Sequence, residues 1–378
     1  MISEVEEYIQ HGDYSLGLRR VMDLALDSQQ PGFIRKATQL SAQFRPKMLQ
    51  ENPILWSGQF QSQAYELLAE LAASMPTVAG ASPVLLTAES LTKTYRNGFF
   101  SLKPINLQLS AGQIMGVVGE NGNGKTTLLR CLAGQLAIDG GKVTYSGLDH
   151  PDHYTVKSRV AFIPQRIPRW YGKLKDNLHF SAAIAGIRGE RNDMMVDFML
   201  ERFGLTEYAG LTWGQISSGY RTRFEIARIL LQQPQVLILD EPLANLDILA
   251  QQTLLTDLRF LAKSSVNRVG ILLTSQQLHE VEKAADTVLL IRQGSCIFQT
   301  GQTDVRKLGF ALELETSATR EMIVEALGNP EIQVQFNGGY FTLVSHQLDV
   351  PDLMKLLVNA GIRIAYCRDI SASTKRLF

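Results

Sequence analysis

Through the first 82 residues, apolar positions recur at i, i+3 and i+4. The stretches VEEYI, LGLRRVMDLAL and QAYELLAELAASM each place them along one helical stripe. This spacing predicts an all-helical region over 1–82, divided where Pro31, Pro46 and Pro53 remove backbone donors. PTVAGASP, from Pro76 to Pro83, is small and punctuated by proline and glycine, and reads as a linker. The pattern then changes. LTAESLTKTY and INLQL predict strands of an antiparallel layer. IMGVVG, RVAFIP, QVLILD, GILLTS and TVLLIR are continuous apolar runs ended by small or polar residues, as in strands buried on both faces of a parallel sheet. Helical segments between several of them give an α/β region over 84–303. From 304 to 378 the rhythm changes again. ALELE, the hairpin IQVQF-NGG-YFTLVS with Asn337-Gly338 at its turn, and IRIAYC predict strands. TREMIVEALG and VPDLMKLLVNAG predict helices. The order β-α-β-β-α-β is that of a small ferredoxin-like α+β unit.

Bulk composition narrows this picture only slightly. With 378 residues, the chain is long enough for two or three domains. Lys+Arg and Asp+Glu both number 37, so no general basic field favours nucleic acid, and no nucleic-acid partner is expected. No stretch approaches the roughly 20 apolar residues of a membrane helix. MISEVEEYIQ is acidic and lacks the apolar run of a signal peptide, so a cytoplasmic location is expected. Cys131, Cys296 and Cys367 are scattered and odd in number, which suggests reduced thiols.

The chemistry concentrates in the middle region. Gly119 to Thr126 spells G-x-x-x-x-G-K-[ST] after an apolar strand and before a helix, the context this phosphate-binding motif needs. Gly119, Gly122 and Gly124 let the backbone turn its N–H groups inward, with Asn121 and Asn123 between them. The helix opening at Lys125 adds its positive end, and Thr127 lies in its first turn. Lys125 suits the β- and γ-phosphates, and the Thr126 hydroxyl suits Mg²⁺. In PQVLILDEPLANLD, an apolar strand ends in Asp240 and Glu241. A carboxylate at a buried strand tip is costly unless it meets a cation. Asp240 therefore suits Mg²⁺, and Glu241 suits the water attacking a γ-phosphate. Without the phosphate loop, such a pair would read as a helix cap.

These motifs, in this order, make residues 84–303 resemble an ATP-binding cassette (ABC) ATPase. The resemblance implies ATP and Mg²⁺ as ligands and ATP hydrolysis as the activity. It places Tyr95 against adenine, and Gln165, in FIPQ, near Mg²⁺ or the attacking water. It makes QISSGYRTR the signature, in which Ser217, Ser218 and Gly219 reach the γ-phosphate of a second cassette. Ile216-Ser217-Ser218-Gly219-Tyr220 departs from the common Leu-Ser-Gly-Gly-Gln. Asp247, in NLD, matches the loop that communicates across the dimer. At the position of the family's switch histidine stands Gln276, with His279 three residues on as a poor substitute. An amide can donate to phosphate but cannot carry a proton as imidazole does, so slow or partner-dependent hydrolysis is expected.

The implied partners are a second cassette, identical or not, and a separate transmembrane permease subunit, with this chain peripheral on the cytoplasmic face. The C-terminal module and its ending, DISASTKRLF, resemble those of bacterial ABC-2-type exporters. A soluble regulatory or translation-associated ABC switch is the alternative. His150 and His153 read as a solvated turn, and Arg166, Arg169, Lys173 and Lys175 as a solvated face. Trp170 and Tyr171 read equally as core, loop or partner contact.

Overall fold

The computed structural model describes residues 2–74, 82–95, 100–148, 152–244, 246–264, 268–276, 281–301 and 309–371. Most of the linker, His150, His279, and the tail from 372 onward lie outside the described residues.

Four helices open the chain: α1 (Ile2–Gln10), α2 (Tyr14–Asp27), α3 (Pro31–Gln50) and α4 (Ser57–Ser74). The Asp13 carboxylate caps α2 by accepting from Leu16 N at 3.0 Å, and Pro31 occupies the first turn of α3, where its missing N–H costs nothing. Pro46 does not divide the helix as its backbone chemistry suggests. It sits inside α3, with little more than a turn following it. Phe44, two residues earlier, is anchored edge-on to Phe60 at 5.4 Å between centroids, and this packing outweighs one lost backbone bond. The apolar stripes of these helices do not close on themselves. Val21, Leu24, Phe44 and Leu68 share one continuous core with Phe198, Phe203 and Leu258 of the middle region.

The middle region contains two sheets. β1 (Val84–Thr94), β2 (Ser101–Ser110) and β4 (Gly140–Tyr145) form an antiparallel layer in the order β2-β1-β4. A six-stranded sheet is built from β3 (Ile114–Val118), β5 (Val160–Ile163), β6 (Val236–Leu239), β7 (Gly270–Ser275), β8 (Thr287–Arg292) and β9 (Ser295–Gly301). Its order is β5-β6-β7-β3-β8-β9; all pairs are parallel except the edge pair β8–β9. Helices α5 (Lys125–Leu132), α6 (His153–Arg159), α7 (Leu174–Ile184), α8 (Glu190–Phe203), α9 (Ser218–Leu230) and α10 (Ile248–Ala262) complete it. The order brings the C-terminal ends of β3, β6 and β7 side by side, where ligands bind in α/β sheets. LDHPDHY is not all turn: Asp152 caps α6, which begins at His153. Among the described residues, no His/Cys/Asp/Glu group of metal-holding size occurs, and no helix is long and apolar enough to cross a membrane.

The last region contains β10 (Phe310–Thr316), α11 (Arg320–Leu327), β11 (Gln333–Asn337), β12 (Tyr340–Ser345), α12 (Val350–Asn359) and β13 (Ile364–Asp369). The strands form an antiparallel sheet in the order β11-β12-β10-β13. Leu312, Leu314, Ile323, Leu343 and Leu353 form a core of their own beneath the two helices. The hairpin turn is Gly338-Gly339, one residue later than Asn337-Gly338. Both glycines take positive φ, 59° and 93°, as a two-residue hairpin turn of this hand requires, while Asn337 pairs with Tyr340.

Candidate functional site

The loop after β3 is shaped by close approaches. A Cβ on Gly119 would lie 2.3 Å from the Ile291 carbonyl oxygen. Gly124 has φ +100°, and a Cβ there would meet Phe100 Cζ at 2.4 Å. Both positions therefore require glycine. The loop and the first turn of α5 line an open cleft of about 660 Å³, bounded also by Tyr95, Phe100, Gln165 and Glu241. Tyr95 and Phe100 stand 6.4 Å apart at one edge, and the Tyr95 hydroxyl is 3.3 Å from Thr127 Oγ1. Asn121, Gly122, Thr126 and Thr127 face the cleft. The Asn123 side chain is engaged elsewhere: its Oδ1 accepts from Gln293 N at 3.0 Å, tying the loop to the β8–β9 turn.

Lys125 is 4% exposed. Its Nζ donates to the Gly119 and Glu120 carbonyls at 2.6 and 3.3 Å and lies 3.4 Å from Glu241 Oε1. Asp240, also buried, ends β6. Its Oδ2 accepts from Thr126 Oγ1 at 2.8 Å and its Oδ1 from Thr274 Oγ1 at 2.9 Å. The same Thr274 oxygen accepts from the Glu241 backbone N–H at 2.7 Å. Glu241 takes φ +48°, an uncommon conformation for a non-glycine residue and one that clusters at functional sites. Its Oε2 accepts from Gln165 Nε2 at 2.8 Å and from Gln276 Nε2 at 2.9 Å. One carboxylate thus faces an ammonium and two amides. The Thr126 hydroxyl beside the Asp240 carboxylate supplies the hard oxygen donors that suit Mg²⁺.

The family described as "ABC transporter" matches residues 102–244. Residues 102–244 belong to that family. The ABC transporter ATP-binding protein NatA of Bacillus subtilis (strain 168) is 29% identical over 208 residues, 53% of this chain and 81% of the relative. The methionine import ATP-binding protein MetN of Helicobacter hepaticus is 30% identical over 223 residues, 56% of this chain and 62% of the relative. Among solved structures, cbiO1 from Clostridium perfringens, part of the ABC transporter complex cbiONQ, superposes with a TM-score of 0.52 at 23% identity. It covers 59% of this chain and 90% of its own, a likeness of fold.

The ABC cassette does not bring all the expected residues to one cleft. Ser217, Ser218, Gly219 and Asp247 do not line it. Ser217 holds the N-cap position of α9, yet its side chain makes no capping bond. Asp247 caps α10 by accepting from Ala250 N at 2.8 Å. Tyr220 packs on Tyr208 with ring centroids 4.1 Å apart, and a hydrogen bond to Tyr220 is the first cause raising the Tyr208 hydroxyl above its ordinary range. Trp170 is packed: its Nε1 donates to Glu225 of α9 at 3.0 Å, and Arg228 lies 4.7 Å from its ring. Tyr171 beside it is 80% exposed. Lys175 pairs with Asp197 at 2.8 Å. Behind the loop, burial pushes the Cys131 thiol up to about 11 and the Tyr145 hydroxyl to about 12. Sequence reasoning missed Thr274 and Phe100. The hydroxyl of Thr274, following the apolar residues of GILLTS and just ahead of Ser275, was the available sign of the first.

Proposed function

We propose that this chain is the ATP-hydrolysing subunit of an ABC exporter, working as a pair of cassettes on a separate permease at the cytoplasmic face of the membrane. The observation that carries the ATPase reading is the Glu241 carboxylate, held by Lys125, Gln165 and Gln276 at the mouth of the phosphate loop. Loop N–H groups and Lys125 bind the β- and γ-phosphates, and Tyr95 offers its ring to adenine, with Phe100 beside it. Thr126, Asp240 and Gln165 would hold Mg²⁺, which supplies charge neutralisation on the phosphates. Glu241 orients the attacking water and takes up its proton. Gln276 keeps one oxygen of Glu241 aimed without transferring a proton itself. Ser217, Ser218 and Gly219 close over the phosphates of the second cassette, which is why they stand away from their own cleft. Asp247 lies at the same interface.

The units are read as 1–82, 84–303 and 304–378. The third, with its observed β11-β12-β10-β13 order, is read as ferredoxin-like. The exporter direction is supported by this appended unit. Relatives named for import exist as well. In the full-length chain, Glu241→Gln should bind ATP, lose at least about 100-fold in turnover and accumulate as a dimer on size exclusion with ATP. Wild-type turnover in that variant would remove Glu241 from its role. Purification in detergent should retain a multi-span membrane protein, and loading of its substrate into inverted vesicles would fix the direction. Ribosomes or nucleic acid in its place would support a soluble switch.

A further inference from the structure

The N-terminal helices take no part in the cleft, yet they touch α8 and α10 on either side of the signature helix α9. α9 and α10 are not in full contact near Gly219: a small space bounded by Gly219, Thr222, Ile226, Leu246, Ala250 and Leu254 lies between them. Asp257, further along α10, borders the same space. Its carboxylate accepts from Arg202 Nη2 of α8 at 3.0 Å and from Arg19 Nη1 of α2 at 3.2 Å. Arg202 is 3% exposed and also binds Asp23 of α2 with two nitrogens, Nε at 2.7 Å and Nη2 at 3.1 Å. α2 therefore grips α8 through Asp23 and α10 through Arg19. Its grip on α10 continues on either side. The Arg20 guanidinium lies 3.7 Å from the centroid of the Phe260 ring, and Asp27 accepts from Ser264, just beyond α10.

A two-nitrogen guanidinium–carboxylate contact fixes orientation as well as distance. α8 packs directly on α9, whose first residues carry the signature, and α10 begins at the Asp247 cap. Where α9 and α10 leave a space, the spacing between the signature and Asp247 depends on this charged crosslink.

The geometry points to α2 as a brace for catalysis: Arg19 and Asp23 are positioning residues that hold the signature, Ser217 to Gly219, at a set distance from Asp247. The inference rests on the reading that both segments face a second cassette.

The test uses the full-length chain carrying Arg19→Ala, which removes the Arg19–Asp257 contact between α2 and α10 at a partly accessible side chain. Turnover at saturating ATP should fall about 3- to 10-fold, within the range over which non-contacting residues modulate coupling. The affinity for ATP should stay unchanged, because the phosphate loop is untouched. Arg19→Lys should recover part of the loss. Hydrogen–deuterium exchange without nucleotide should quicken at 217–222 and 246–250 and stay constant at 119–126. This readout needs no hydrolysis, so it decides the brace even if the unmodified chain proves inactive, an outcome that would count against the ATPase reading alone. Unchanged exchange at both segments overturns the brace, with or without a lower melting temperature. If Arg19→Ala does not fold, Arg19→Gln, which keeps the stem, carries the same comparison.

Discussion

Replacing Thr274 by valine removes one oxygen and keeps the side chain's shape. That oxygen donates to Asp240 Oδ1 and accepts from the Glu241 N–H, at 2.9 and 2.7 Å. Thr274 is fully buried and Asp240 nearly so, so water cannot easily replace the lost partner. Each buried polar group left unpaired costs about 1–3 kcal/mol. Two such groups give a loss of about 2–6 kcal/mol, tempered because Asp240 keeps Thr126 on its other oxygen. The N–H bond also pins Glu241 at φ +48°, a conformation costing about 1–2 kcal/mol for an L-residue. With the bond gone, the backbone can relax and the carboxylate moves off line. A barrier increase of only about 1.4 kcal/mol lowers turnover tenfold. Thr274→Val should therefore lose both stability in urea and at least about tenfold in ATP turnover, while Thr274→Ser should retain most of its turnover. If the valine variant unfolds within about 0.5 kcal/mol of the unmodified chain and hydrolyses ATP at a similar rate, the hydroxyl is not the organiser of the acidic pair.

Gln276→His places an imidazole against Glu241. Turnover should rise and gain a pH dependence centred near the ordinary histidine range of about 6.5; equal rates and a flat pH profile would show that the amide already does this work. Burial raises the Cys131 thiol from 9.0 to about 11, so the folded chain retains a proton that the unfolded chain loses. The stability from this neutral thiol is complete below pH 9.0 and is lost as pH climbs toward 11. Urea titrations at several pH values should show that decline, and iodoacetamide near pH 8 should label exposed Cys367 well before Cys131.

The phosphate loop was legible because its chemistry is local: glycine spacing, lysine and hydroxyl all lie within one turn between strand and helix. Asp240 and Glu241 were legible because a charge at the end of a buried apolar strand is too costly to keep without a cation to meet it. Thr274 was not, because its partners follow β6 and only sheet order brings them together. Phe100 was not, because an aromatic in a strand-like run carries no sign that it will cover Gly124. Trp170 could be read three ways until Glu225, 55 positions later, appeared beneath its indole. Pro46 misled because backbone logic alone ignores the aromatic anchoring of α3 around Phe44.

The differing cores of the end regions bear on how this chain can be recombined. The C-terminal unit, from Phe310 onward, has an apolar interior of its own. The N-terminal helices share theirs with Phe198, Phe203 and Leu258. Excising them would leave a cassette with a raw apolar flank, prone to aggregate, and fusing them to another cassette would require a matching flank. As units of exchange, the tail is portable, whereas the head and the cassette must travel together.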